Sequence, residues 1–332
     1  RMSNKSNTQL RKRNQQQAVV PKKKKKRSGR PRRANNGLQT SPAVKLSHCA
    51  MAYATALIDP FNAGLKEMLP CIPDELETSS FKFCTFNRGS FVIGTGNVGY
   101  VVFNPRNAFN DLPSLAMTQK AYPGDGTSIG VNVSTGISQI TNARSPFNSS
   151  AAVDVRCVGA GLRARYVGTE LNRGGLLRCI SYPDPSDSVN GKNMFVMETQ
   201  QECSIHQVDR RWKTVAYRPN VKSTFTSSTV TMVNGANMAI IATGAAENDF
   251  EFEVIAYYEA VSNGSFSVPA VSKSDSDIVG VSVVRDFTSS LSPGDAGGNL
   301  MDTFVSYLKT GASMAMSSII PGSGEVFRAI VG

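Results

Sequence analysis

The sequence predicts an all-β fold, a single antiparallel sandwich of about eight strands with a disordered basic arm in front and short helices at its flanks. Three observations carry that expectation. Residues 79–287 are rich in Val, Thr, Phe, Ser and Gly, set in short alternating runs divided by turn dipeptides. Fourteen of the 36 basic side chains fall in residues 1–36, which contain no acid. Helical spacing occurs only on either side of the strand-rich region.

Residues 1–40 form the first segment. They hold Gln15 to Gln17, the block Pro21 to Arg27, and Ser28-Gly29-Arg30-Pro31-Arg32-Arg33. With so little apolar surface to bury, this arm cannot offset its ordering entropy and is expected to be disordered when free. Residues 41–78 read as an internal helical connector. Cys49, Ala52, Tyr53 and Ala56 are at helical spacing, and Pro60 should end that helix near Asp59.

Residues 79–287 follow as the sandwich. Phe81, Phe83 and Thr85 alternate with Lys82, Cys84 and Phe86. A run from Gly99 to Phe103 stops at Asn104-Pro105. Val153, Val155 and Cys157, then Leu162, Ala164 and Tyr166, share a face opposite Arg163 and Arg165. Phe250, Phe252, Val254, Ala256 and Tyr258 alternate with Glu251, Glu253, Ile255, Tyr257 and Glu259. Asn190-Gly191, Asn234-Gly235 and Asn263-Gly264 supply turn chemistry. Residues 288–332 close the chain. There Met301, Phe304, Val305, Leu308, Ala312, Ala315, Met316 and Ile319 line one side of an amphipathic helix of about five turns, ended by Pro321-Gly322.

Charge narrows the function. The chain carries +11, yet residues 37–332 hold 22 basic against 25 acidic side chains, a net −3. A polycation joined to a slightly acidic body points to a polyanion, and nucleic acid is the expected partner. The residues expected to bind it are Arg11, Lys12, Arg13, Lys22, Lys23, Lys24, Lys25, Lys26, Arg27, Arg30, Arg32 and Arg33. Counterion release needs charge density and no fixed geometry. The same block resembles a nuclear localisation signal. Residues 1–40 contain no aromatic side chain, so base stacking is not expected from the arm.

Other classes recede. No run of 18 apolar residues exists, and no apolar stretch follows the N-terminal charges as a secretory signal requires. The six cysteines include no CxxC pair and read as buried small hydrophobes in a reducing compartment. Two histidines make a His-based triad or a His-rich metal site unexpected. Gly94 to Gly99 spells GxGxxG, but a strand rather than a helix should follow it, so it reads as a strand connection. Trp212, within Asp209-Arg210-Arg211-Trp212-Lys213, reads first as packing and second as a base-stacking ring among cations. Asp184 and Asp187 read first as a solvated loop and second as calcium ligands at a subunit contact. No other cofactor is expected.

A closer resemblance rests on particular residues. The run Gly161-Leu162-Arg163-Ala164-Arg165-Tyr166-Val167-Gly168-Thr169-Glu170-Leu171-Asn172-Arg173-Gly174-Gly175 resembles a strand and turn of nodavirus-like and tombusvirus-like capsid proteins. Phe250 to Glu259 resembles the last sandwich strand of that family. Cys49-Ala50-Met51-Ala52, Asp59-Pro60-Phe61 and Ile72-Pro73-Asp74 are similar to the nodavirus segment between arm and sandwich.

The resemblance implies an eight-stranded jelly-roll sandwich in the coat of a small non-enveloped icosahedral virus. It implies T=3 geometry with about 180 copies of this chain. The arm would point inward and package a single-stranded RNA or DNA genome, supplying roughly 2,500 positive charges per shell. The protein would reside in the virion, and in host cytoplasm or nucleus during assembly.

In the insect nodaviruses the coat precursor cleaves itself at an Asn–Ala bond near the C-terminus, assisted by a buried Asp, and frees a membrane-active helix. The matching residues here are Asn299, followed by Leu300 where the family has Ala, and Asp59. Transient membrane contact would then run through residues 300–320. Apart from this single-turnover step no enzymatic activity is expected, since paired carboxylates, a metal cluster and a Ser/Cys–His constellation are missing from the sequence. The alternative is a cellular β-sandwich protein, nucleic-acid-associated or chaperone-like, with a basic targeting tail. A chaperone for basic proteins should carry acidic tracts, which this sequence lacks.

Overall fold

The structure, a computed structural model, describes residues 45–63, 69–74, 79–105, 117–122, 129, 138–140, 153–184, 187–219, 225–227, 237–262 and 276–310. Its strands are β1 (Phe81–Val92), β2 (Val98–Phe103), β3 (Met117–Tyr122), β4 (Ser138–Ile140), β5 (Val153–Tyr166), β6 (Leu176–Ser181), β7 (Cys203–Gln207), β8 (Lys213–Tyr217), β9 (Thr226–Ser227), β10 (Met238–Thr243) and β11 (Asp249–Ser262). Every pairing among them is antiparallel.

One sheet runs β1-β11-β5-β8, with β9 on the end of β5, and the other runs β4-β3-β2-β10-β6-β7. Setting aside β3, β4 and β9, the remaining eight strands in chain order give 1-8-3-6 in one sheet and 2-7-4-5 in the other. That is the double Greek key of a jelly roll, the expected fold.

The alternation read from the sequence places the core. Phe250, Phe252, Val254, Ala256, Tyr258 and Ala260 of β11 all face inward. On β5 the inward set is Val155 and Cys157, then Ala160, Leu162, Ala164 and Tyr166. An odd-to-even change of phase needs one extra residue. The register supplies it, for Cys157 pairs with Tyr258 and Gly159 with Tyr257, leaving Val158 bulged between them. Val158 points out of the sandwich and packs with Tyr257 beneath the helices.

Strands β2 and β10 do not alternate because both faces are covered. Val101, Phe103 and Ile240 enter the sandwich core, while Val98, Tyr100, Val102, Ala239 and Ile241 join a layer with Met194 and Met197 of α3 (Met194–Met197). Gly94 to Asn97 forms the turn from β1 to β2, with Gly94 N–H bonding Val98 O at 3.0 Å. A strand follows, as expected, and not a helix.

Four helices cover the far side of the β1-β11-β5-β8 sheet at one end. They are α1 (His48–Ile58), α2 (Pro60–Ala63), α4 (Ile278–Ser289) and α5 (Gly298–Thr310). Ser47 caps α1 by accepting from Ala50 N–H at 3.1 Å. Asp277 caps α4 through Gly280 N–H at 2.7 Å and also accepts from Ser47 N–H at 2.8 Å, so one carboxylate ties two helix starts together. Tyr53, Leu57, Val283, Val284, Phe304 and Leu308 form the layer between them. On α5 Phe304 and Leu308 are buried while Asp302, Thr303 and Ser306 are exposed, matching the amphipathic reading as far as Thr310. The expected continuation to Ile319 lies outside the described residues.

Two sequence readings need correction here. Residues 79–287 are not sandwich throughout, because α4 begins at Ile278 and crosses that boundary to Ser289. The cysteines are not six buried thiols. Cys49 and Cys71 form a disulfide with Cα atoms 5.7 Å apart, and Cys84 is exposed. The pairing depends on the connector folding back over the start of α1, which a spacing of 22 residues does not reveal.

Candidate functional site

Asp59 terminates α1, its N–H bonding Thr55 O at 2.8 Å. Its carboxylate is 6% exposed and accepts from Asn62 Nδ2 on α2. The segment that opens α5 crosses at this point. Gly297 N–H donates to Ile58 O at 3.0 Å, and Asp59 Oδ2 lies 3.8 Å from where a Cβ on Gly298 would stand. Gly297 has φ +132°, a conformation open to glycine, and the helix starts directly after it.

The fold thus brings Asp59 beside the peptide preceding Asn299, 240 residues further along the chain. Asn299 itself is exposed in the first turn of α5, with its carbonyl accepting from the Thr303 hydroxyl at 3.0 Å.

What holds the two segments together is a residue that no motif singles out. Arg218 follows β8. Its Nε donates to Leu57 O at 2.9 Å, its Nη1 to Ser292 O at 2.9 Å and Leu291 O at 3.4 Å, and its Nη2 to Asp295 O. It ties the end of α1 to the loop between α4 and α5. Burial draws its pKa down to about 10, with Asp295 opposing that shift, so it remains charged at neutral pH. Four scattered carbonyls leave no motif in a sequence.

A second site lies where the helices stop. The end of the β1-β11-β5-β8 sheet beyond Phe61 of α2 carries a cross-strand charge ladder. Glu251 faces Arg165 across β11 and β5, and Glu253 faces Arg163. Arg165 Nε and Nη2 reach Glu251 Oε2 at 2.9 and 2.6 Å, and Arg163 Nε reaches Glu253 Oε2 at 2.7 Å. Arg88 of β1 bonds Glu251 Oε1 through Nε at 2.5 Å. The Arg165 and Arg88 guanidiniums hold the Glu251 carboxyl below its usual range.

Trp212 lies at this end of the sheet, outside the sandwich core where packing was the preferred reading. The Arg163 and Arg165 guanidiniums each stand 4.6 Å from its ring centroid, and Arg163 is also 4.1 Å from the Phe61 ring.

The remaining candidates sort simply. The arm residues Arg11 to Arg13, Lys22 to Arg27, Arg30, Arg32 and Arg33 lie outside the described residues. Asp187 pairs with Lys192 at 3.3 Å, and the backbone carbonyls of Asp184 and Asp187 both accept from Asn237 Nδ2. Among the described residues no three His, Cys, Asp or Glu side chains are grouped to hold a metal ion. Burial pushes the Cys179 thiol up to about 12 and Cys203 to about 11, so neither is a nucleophile at neutral pH.

The sequence matches no family model and no curated protein. Solved structures similar to it include the T13 particle of infectious bursal disease virus, at 8% identity and TM-score 0.48, covering 73% of this chain and 91% of that one. Mud crab dicistrovirus is similar at 14% identity and TM-score 0.31, covering 79% and 98%. The nodavirus of the giant freshwater prawn Macrobrachium rosenbergii, as a semi-empty virus-like particle, is similar at 10% identity and TM-score 0.29, covering 56% and 98%.

Proposed function

We propose that this chain is the structural capsid protein of a small icosahedral virus, assembling as copies of itself into a closed shell and packaging a single-stranded genome through its basic arm. The observation that carries the reading is one of combination. Jelly rolls serve lectins and cupins as well as capsids, so the fold alone does not choose among them. Joined to fourteen cations in residues 1–36 and a body of net −3, it fits a shell whose arm carries the whole positive excess that a genome would meet. T=3 geometry, about 180 copies and a place in the virion belong to this reading. Calcium held by Asp184 and Asp187 at a subunit contact is an optional part of it, Asp187 pairing with Lys192 in the single chain.

Electron microscopy of the purified protein tests it. Closed shells of uniform size are expected, and a protein that stays monomeric under all packaging conditions would overturn it.

A second reading concerns maturation, and the placement of Asp59 beside Gly298 favours it. Asn299 Nδ2 attacks its own backbone carbonyl carbon, a cyclic imide forms, and the bond to Leu300 breaks with the proton passing to the new amine. Asp59 would manage that proton, and the Thr303 hydroxyl would polarise the carbonyl. The product from residue 300 onward would carry the apolar face of α5 to a membrane. In the intact chain that face packs on α1 and α4, so membrane contact requires its release.

A further inference from the structure

We propose that the charged end of the β1-β11-β5-β8 sheet is a second contact for single-stranded nucleic acid, an unpaired base stacking on Trp212 and phosphates meeting Arg88, Arg163 and Arg165. This rests on the packaging reading and adds to it what the arm lacks, since residues 1–40 hold no aromatic ring.

Exposure decides the sign of this face. The Arg88, Arg163 and Arg165 side chains are 59%, 27% and 37% exposed, against 14% and 10% for Glu251 and Glu253. The carboxylates lie low against the sheet and the guanidiniums stand over them. Three cations on two anions, with exposed Arg211 nearby, make a locally positive patch on a body whose net charge is negative, while Arg210 is paired with Glu170 at 2.8 Å and Lys213 with Asp209 at 3.1 Å.

Each guanidinium carries five N–H donors and commits Nε and Nη2 to its carboxylate, which leaves Nη1 to donate elsewhere. A phosphate oxygen suits such a donor. Trp212 is held by two cations yet remains partly accessible, and a π-face backed by arginine is the stacking platform that unpaired bases use. A second copy that met this face with its own would set like charges against each other, so charge favours the polyanion over that pairing.

Trp212 is the only tryptophan in the chain, so its fluorescence reports on this face alone. Full-length protein would be titrated with a fluorescein-labelled oligothymidylate at about 0.3 M salt, where the arm's contribution is reduced. Anisotropy of the label follows binding and tryptophan emission follows Trp212. Single strands are expected to quench that emission, and a duplex of equal length to leave it unchanged. Trp212→Ala should weaken single-strand binding by roughly 5- to 150-fold, with Trp212→Phe retaining most of it.

Binding with unchanged emission would overturn this contact and leave the packaging reading standing. No binding even at low salt would overturn both. Emission that follows protein concentration but ignores the oligonucleotide would assign the face to a second copy of the chain, overturning the proposal.

Discussion

Arg156 and Glu259 face each other across β5 and β11, their side chains 2% and 0% exposed. The guanidinium reaches Glu259 Oε2 at 2.7 Å and also Asp74, while the second carboxylate oxygen accepts from Ser80 at 3.1 Å. Burial pulls the Arg156 pKa down, but Glu259 and Asp74 outweigh it and hold the guanidinium above its usual range. The pair fastens the connector to the sheet. Glu259→Leu, which leaves the buried cation only the half-buried Asp74, is expected to cost about 3 kcal/mol in urea denaturation. The double replacement Arg156→Met with Glu259→Leu should recover most of that. A single variant as stable as the parent would show that Asp74 alone suffices. Part of this was legible. Glu259 stands in the outward set of its strand, where the alternation suggests solvent, but Ile255 and Tyr257 in the same set already signalled that something covers that end. Nothing in the spacing named Asp74 as a partner, because the ion pair spans 82 residues.

The helices show the same division between what repeats and what meets. Periodicity was enough to place α1 and the start of α5, and Pro60 to end the first of them. It was not enough for α4, whose short valine-rich turns resemble a strand, nor for the contact between α1 and the start of α5. That contact depends on a close approach: a Cβ on Gly161 of β5 would lie 2.5 Å from Pro60 Cγ, so α2 sits directly on the strand backbone and carries Asp59 with it. The maturation step is an outcome at this level. Intact mass of protein from aged particles is expected to show a fragment ending at Asn299, and Asp59→Asn should abolish it while shells still form. One full-length species from the parent would leave α5 a permanent part of the structure.

Across the whole molecule the fold was more legible than the site. The strand count and the inward residues of β5 and β11 follow from alternation, but the order of strands within each sheet does not. Nor does the meeting of Trp212 with Arg163 and Arg165, since a ring forty-odd positions away joins them only through β5–β8 pairing. The asymmetry of charge makes a prediction at this scale. If six to ten arm cations engage phosphates, affinity for nucleic acid should fall roughly 10³- to 10⁵-fold between about 50 and 200 mM salt. Removing residues 1–36 should flatten that dependence and empty the particles of full-length genome, with the sandwich still folded by circular dichroism. Particles of unchanged content would refute the role of the arm. The strand order also bears on synthesis. β11, last to be made, lies between β1 and β5. Until residue 262 has left the ribosome those two strands have no neighbour in common and the sheet cannot close. The arm, by contrast, precedes every strand and is exposed for roughly ten to fifty seconds before β11 follows it. Under the capsid reading, and for a genome that also serves as message, the nearest polyanion in that interval is the template, so a nascent chain would engage it before any shell exists to enclose it.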